Sequence, residues 1–216
     1  MSVSGTPTSS RSDVYLDALA SAEPTPGGGS AAATVAATGA ALVAMVARIT
    51  AGAERFAAAK AQAQTLAAAA DAARAALLGA RAADERAYQA VVAALALPRV
   101  GDNERAVRAE RLQSVLANAA AEPLRIAQFA ADVVGLAEDA LALDNRNLAS
   151  DLGCAAAFAE AAVAAAALNV RVNHAYLRDD DLRARQQAAL ATLERETSRR
   201  VAHVRAAVER TLARSG

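Results

Sequence analysis

The sequence predicts an all-α fold, a multi-helix bundle of long antiparallel helices, and three observations predict it. Alanine makes up much of a 55% hydrophobic composition, and alanine has the highest helix propensity while removing little surface when buried. Three Phe, three Tyr and no Trp leave the chain without the aromatic and β-branched runs that strands favour. Apolar residues recur at helical spacing in segments punctuated by proline and glycine. At 216 residues the chain is long enough for one domain with its own core. The expected organisation is a disordered lead-in over 1–11, then a single helical-bundle domain over 12–216 whose charged last helix, 179–214, packs on the rest.

Each element follows from local signals. The lead-in is Ser, Thr, Gly and Pro without the apolar core of a signal peptide. Asp13 to Ala22 reads as a short amphipathic helix, with Val14, Leu16 and Leu19 apolar, stopped by Glu23-Pro24. The turn Pro24-Thr25-Pro26-Gly27-Gly28-Gly29-Ser30 follows, and Gly28 or Gly29 opens a helix to about Thr50, expected in the middle of the bundle. Ser30 to Ala47 is 18 residues without a charge, the length at which a membrane span must be considered. Its small Ala, Ser, Thr and Gly side chains suit close helix packing better than lipid. After a break at Gly52 the helical pattern from about Ala53 to Leu97 would measure roughly 65 Å if straight. It bends near Gly79 or extends across a partner subunit, and Pro98 ends it.

Asp102 or Asn103 caps the next helix, Glu104 to Ala121, and Pro123 either kinks it or begins a new one toward Leu143. Leu148 to Leu177 is again long and apolar, interrupted by Asp151, Glu160, Asn169 and Asn173. Asp179-Asp180-Asp181 starts the last helix, with Leu193, Thr197, Val201, Val204, Val208 and Leu212 along one seam. Acids at its start and arginines at its end agree with the helix dipole, and the seam is that of a coiled-coil-like packing stripe.

Basic and acidic residues both number 23, so no net field draws the chain to nucleic acid or to an anionic membrane. Cys154 is the one cysteine, which excludes an intrachain disulfide and, with no low-pKa environment in view, reads as a small buried hydrophobe. His174 and His203 are far apart and give no zinc pattern. A cytoplasmic protein with no metal follows as the default.

The glycine turn leaves a helix N-terminus with free N–H groups, a place for an anion or polar ligand, and Ser30 adds a hydroxyl. A tight turn where small residues let helices cross explains the same residues, and the sequence alone leaves both readings open. It is not a Walker loop, since no Gly-Lys-Ser/Thr follows, nor a dinucleotide fingerprint, since no strand precedes it. Asp84 with Tyr88, Asn147 with Asp151, and Asn169 with Asn173 are four apart, so each pair shares a helix face. Asp151 and Asn169 are five turns apart, about 27 Å along the axis, too far for one small ligand to touch both. A carboxylate at Asp151, ahead of an apolar run, would be costly to bury unpaired, and burial would raise its pKa. For Asn169 and Asn173 the other reading is an interhelical hydrogen bond.

Taken in order, the motifs resemble those of a known family. Leu19-Ala20-Ser21 precedes Pro26-Gly27-Gly28-Gly29-Ser30-Ala31-Ala32-Ala33, then Ala41 to Thr50. Asp84-Glu85-Arg86-Ala87-Tyr88 leads to Leu97-Pro98, and Arg108 to Leu112-Gln113. Glu122-Pro123-Leu124, Asn147 with Ser150-Asp151-Leu152-Gly153, and Leu168-Asn169-Val170-Arg171-Val172-Asn173 complete the set. The chain over about 13–180 is similar to the cyclodeaminase/cyclohydrolase family, known from the C-terminal domain of formiminotransferase-cyclodeaminase and from stand-alone methenyltetrahydrofolate cyclohydrolases.

The resemblance implies an all-α homodimer that binds folate in a cleft near the subunit interface, with a tetrahydrofolate derivative as substrate and no tightly bound cofactor. It implies closure of 5-formiminotetrahydrofolate with loss of ammonia, or hydrolysis of methenyltetrahydrofolate to the 10-formyl form. Under it Asp84 and Asp151 are the candidate acid and base. Pro26, Gly27, Gly28, Gly29, Ser30, Tyr88, Arg108, Asn147 and Asn173 are the candidate substrate-binding residues. The sequence departs from the family after Ile49-Thr50, where lysines are usual and Ala51-Gly52-Ala53-Glu54-Arg55-Phe56 stands instead. That leaves Arg55 and Lys60 as the cations for a polyglutamate tail. The competing reading is a helical scaffold or folate-binding protein that kept the fold without the reaction.

Overall fold

A computed structural model of the chain describes residues 11–213, and the described residues contain helices, turns and no strand. The expected disordered lead-in lies, but for Arg11, outside them. Six α-helices run in chain order: α1 Arg11–Leu19, α2 Gly28–Gly52, α3 Lys60–Leu95, α4 Asp102–Ala140, α5 Ala149–His174 and α6 Asp180–Ala213.

Helix α2 sits in the middle, packed against α3, α4 and α5, because its sequence has small residues on nearly every face. Ala33, Ala36, Ala40, Val43 and Ala47 are fully buried. Where α2 crosses α5 a β-carbon on Gly39 would stand 2.9 Å from the backbone oxygen of Ala155, so glycine is what lets the two backbones approach. By length and composition α2 and the stretch Arg146–His174 could each cross a bilayer; in this fold most of the apolar window of α2 is buried in the bundle, and less than half of that of the second stretch.

The long third helix is shorter than its pattern. Ala53 leaves the helical conformation, residues 54–59 form 3₁₀ turns with a kink at Phe56, and α3 starts only at Lys60. From there it passes Gly79 without interruption. Helix α4 is one unbroken helix of 39 residues with Pro123 inside it and buried, so the proline neither ends nor restarts it. Its N-cap is Gly101, not Asp102 or Asn103. Asp102 instead pairs with Arg105, and Glu104 accepts the N–H of Val100 at 2.9 Å.

Asp144, in the left-handed region (φ 46°), turns the chain from α4 toward α5, and the Asn145 amide donates to the buried Thr50 hydroxyl at 3.0 Å, pinning this turn to the end of α2. Asp179 caps α6 by accepting the Leu182 N–H at 2.8 Å. Thr197, Val201, Val204 and Val208 are buried as the seam requires, while Leu212 is exposed. Two expectations fail at the surface. Cys154 is exposed, beside the groove between α5 and α6. Val14 and Leu16 of α1 are more than half exposed, because that helix docks through a polar contact of Tyr15.

Candidate functional site

The site is built where the first turn of α2 meets α3 and α5. Gly27, extended at φ −127°, ψ −161°, precedes the helix, and the first intrahelical bond runs from the Ala31 N–H to the Gly27 oxygen at 2.9 Å. The N–H groups of Gly28, Gly29 and Ser30 therefore have no partner within the helix, and they carry its positive dipole end.

Each of these three residues faces a different neighbour. A β-carbon on Gly28 would lie 3.3 Å from Nδ2 of Asn169 on α5. One on Gly29 would lie 2.3 Å from Oδ2 and 2.7 Å from Cγ of Asp84 on α3, which no real side chain tolerates. Ser30 is fully buried. Its hydroxyl donates to Glu85 Oε1 at 2.7 Å and, that proton being spent, accepts from the Tyr15 hydroxyl at 3.0 Å. The Arg81 guanidinium lies 5.0 Å over the Tyr15 ring and its Nε is 4.0 Å from Glu85. Ser30, expected at the ligand, is thus occupied in holding α1 and α3 onto α2.

Beside this turn opens a cleft of about 190 Å³. Gly27, Gly28 and Gly29 line one side, Asp84, Glu85 and Tyr88 another, and Ala119, Asn169 and Asn173 the third. Asp84 has no hydrogen bond or ion pair among the described residues. Burial, with the carboxylates of Glu122 and Glu85 behind it, pushes its carboxyl from 3.8 up to about 6. The helix N-terminus opposite favours its anion. The result is a carboxyl that changes charge near neutrality in a half-sheltered cleft, suited to taking or delivering a proton.

The two asparagines are each held by one side-chain bond to a backbone carbonyl. Asn169 donates to Ala165 O at 2.9 Å and Asn173 to Ala119 O at 2.7 Å. A carbonyl only accepts, so in both cases the amide nitrogen is engaged and the amide oxygen is left for a donor in the cleft. The walls therefore differ: N–H donors on α2, and oxygen acceptors on α3 and α5.

Of the residues expected at the ligand, Gly27, Gly28, Gly29, Asp84, Tyr88 and Asn173 come together here. Pro26, which follows a cis peptide bond, supports the turn without lining the cleft. Arg108 is spent on α3: its Nε and an Nη donate to the Leu95 oxygen at 3.3 and 3.2 Å, closing that helix's C-terminus. Asn147 and Asp151 sit at the far end of α5, in the 3₁₀ turn Arg146–Leu148 and in the first helical turn. Within one chain Asp84 and Asp151 do not share the cleft, as the five-turn separation from Asn169 already required. Glu85 and Glu122 were not among the expected site residues, although both stand in motifs that carry the family resemblance, Asp84-Glu85-Arg86-Ala87-Tyr88 and Glu122-Pro123-Leu124. Among the described residues no group of three or more His, Cys, Asp or Glu is arranged to hold a metal ion.

Fold and cleft define an all-α protein with a partly buried carboxyl, Asp84, set against a glycine-opened helix N-terminus. The formiminotransferase-cyclodeaminase family model matches residues 11–192, and the chain belongs to that family. It is 40% identical over 167 residues to the methenyltetrahydrofolate cyclohydrolase of Methylorubrum extorquens, covering 77% of this chain and 80% of that one. It is 34% identical over 184 residues to the formimidoyltransferase-cyclodeaminase of Mus musculus, covering 85% of this chain. The chain spans only 34% of that mouse protein. The crystal structure of formiminotetrahydrofolate cyclodeaminase from Thermotoga maritima superposes with a TM-score of 0.82 at 26% identity, over 94% of this chain and 97% of that one.

Proposed function

We propose that the protein is a folate one-carbon enzyme acting at the carbon that bridges N5 and N10 of tetrahydrofolate. Its reaction is methenyltetrahydrofolate cyclohydrolase, formiminotetrahydrofolate cyclodeaminase, or both. The single observation that carries this reading is Asp84, a carboxyl raised to about 6 with no hydrogen-bond or ion-pair partner among the described residues, facing a cleft in a chain whose relatives are enzymes of these two names.

In hydrolysis, water adds to the methenyl carbon and gives one proton to the Asp84 carboxylate. The hydroxyl so formed then gives up its proton to become the formyl C=O as the carbon–N5 bond breaks and N5 takes a proton, leaving the formyl group on N10 and releasing one proton overall. In cyclodeamination, N10 attacks the formimino carbon and its N–H proton passes to the imino nitrogen; the protonated Asp84 gives that nitrogen a second proton and it leaves as ammonia, with the methenyl bridge formed between N5 and N10. One carboxyl able to exist in both forms near pH 6 serves either direction, and such groups contribute about 10²- to 10⁴-fold. The free N–H groups of Gly28 and Gly29 hold an acceptor or anionic part of the folate, and Asn169 and Asn173 its N–H groups. Asp151 and Asn147 lie outside this cleft, and any catalytic part for them requires a second copy of the chain. The same reading makes the protein a homodimer, which sedimentation of the purified protein tests, and a cytoplasmic one, which cell fractionation tests.

The deciding experiment mixes purified protein with methenyltetrahydrofolate and follows loss of its absorbance, then repeats with 5-formiminotetrahydrofolate and follows its appearance. Acceleration of either supports the proposal. Absence of both, with no folate binding by calorimetry, sinks it.

A further inference from the structure

Pro123 lies inside α4, where a proline costs about 3 kcal/mol relative to alanine because it lacks the N–H that residue i−4 should receive. Residue i−4 is Ala119. The Ala119 carbonyl therefore cannot be satisfied by position 123, and in this fold it accepts the Asn173 side-chain amide at 2.7 Å. Pro123 is itself buried, and Ala119 lines the cleft next to Asn173. A helix defect on α4 and a polar side chain on α5 thus answer one another across the cleft wall.

We infer that Pro123 is a positioning residue for the substrate cleft: by withholding its N–H it leaves the Ala119 carbonyl to Asn173, which is thereby fixed with its amide oxygen toward the ligand. The chemistry that follows is specific. With the nitrogen of Asn173 held by Ala119 and that of Asn169 by Ala165, two amide oxygens and the Asp84 carboxylate form an acceptor wall opposite the donor N–H groups of α2. A ligand matching it presents N–H donors along one edge and an acceptor or anion on the other, as an amino-oxo fused heterocycle does. An alanine at position 123 would offer Ala119 a backbone N–H within its own helix, so the Asn173 amide would share its acceptor with a competing donor and its anchor and orientation would weaken. This inference rests on the folate reading for the ligand, but not for the coupling between the two residues.

The test compares Pro123→Ala and Pro123→Val, the second restoring the N–H while filling the proline's volume, with Asn173→Ala and each double variant. Expected is a rise of about tenfold in KM for the folate substrate, the size of one hydrogen bond's loss, with kcat within about twofold. Thermal stability should not fall, since either replacement improves helix propensity. The double variants should match Asn173→Ala alone. Independently of turnover, the Asn173 side-chain NH₂ signals in a ¹⁵N correlation spectrum, assigned with Asn173→Ala, should move in Pro123→Val. Unshifted signals overturn the inference whatever the substrate. So does an unchanged KM in an active protein, or KM effects that multiply in the double variants. No turnover and no folate binding by the unaltered protein sink the folate reading alone, and the spectrum still decides the coupling.

Discussion

Gly29 and Asp84 occupy one another's space: the β-carbon that any other residue would carry at position 29 would stand 2.3 Å from Asp84 Oδ2. Glycine is required there by the carboxylate of α3, since its own backbone, inside a helix, is one that any residue can adopt. Gly29→Ala should therefore displace Asp84 and reduce kcat by two orders of magnitude or more, on the scale of losing a positioned acid–base group. Gly28→Ala, whose nearest neighbour would be the Asn169 amide at 3.3 Å, should act mainly on KM. Steady-state kinetics of the two variants separate these effects; equal losses of kcat would contradict the assignment.

Asp84→Asn should lower kcat about 10²- to 10⁴-fold, whereas Asp151→Asn, at the other end of α5, should change kcat/KM by less than tenfold. Stability should move the opposite way with pH. The folded-state pKa is raised from 3.8 to about 6, so between those values the folded protein holds more protons than the unfolded chain. The stability contribution is present below pH 3.8 and is lost as pH rises through 6. Thermal midpoints of Asp84→Asn and the unaltered protein should therefore be close near pH 4 and diverge in favour of the variant by pH 7.

The pH profile of activity distinguishes the two roles of the same carboxyl. If hydrolysis dominates, the carboxylate is the required form and kcat/KM should rise through an apparent pKa near 6. For cyclodeamination the acid form is required, and kcat/KM should fall through the same value. Asp84→Asn should abolish that limb. A limb that persists in this variant would assign the titration to another group.

Ser30→Ala removes the acceptor of the Tyr15 hydroxyl and the donor to Glu85, leaving two half-buried polar groups unmet. A loss of about 1–3 kcal/mol is expected by chemical denaturation, together with faster proteolysis in the segment 20–26 that tethers α1. KM should change little, because the hydroxyl does not face the cleft. A large KM effect with unchanged stability would return Ser30 to the ligand.

Much of this molecule could be read from its residues, and the limits have physical causes. The helical class, the central place of α2 and the α6 seam follow from alanine content and spacing alone, because helix periodicity is local. Asn173 was also legible as a polar residue interrupting an apolar helix, and Asp84 through the motif it shares with the family. What the sequence could not supply was pairing between elements. Arg108 and Ser30 have the chemistry of ligand groups, but Leu95 and Glu85 claim them first. Pro123 reads as a helix breaker by local rules, yet burial and packing hold α4 continuous through it. Asp102 was passed over as a cap because Gly101 takes the extended conformation that a cap needs.

The alanine core has a consequence for how this protein can change. Ala33, Ala36, Ala40, Ala127, Ala130, Ala155 and Ala159 are fully buried, and alanine has no side-chain rotamers to freeze on folding. Helix spacing is then fixed by backbone against backbone, so the positions of Gly29, Asp84 and Asn169 inherit the stiffness of the main chain instead of the adjustable fit of larger side chains. Such an interior has almost no smaller residue to retreat to and little slack for a larger one. Sequence drift in this chain is therefore channelled to its outer faces and to α6, while the inner helices act as a nearly fixed frame around the cleft.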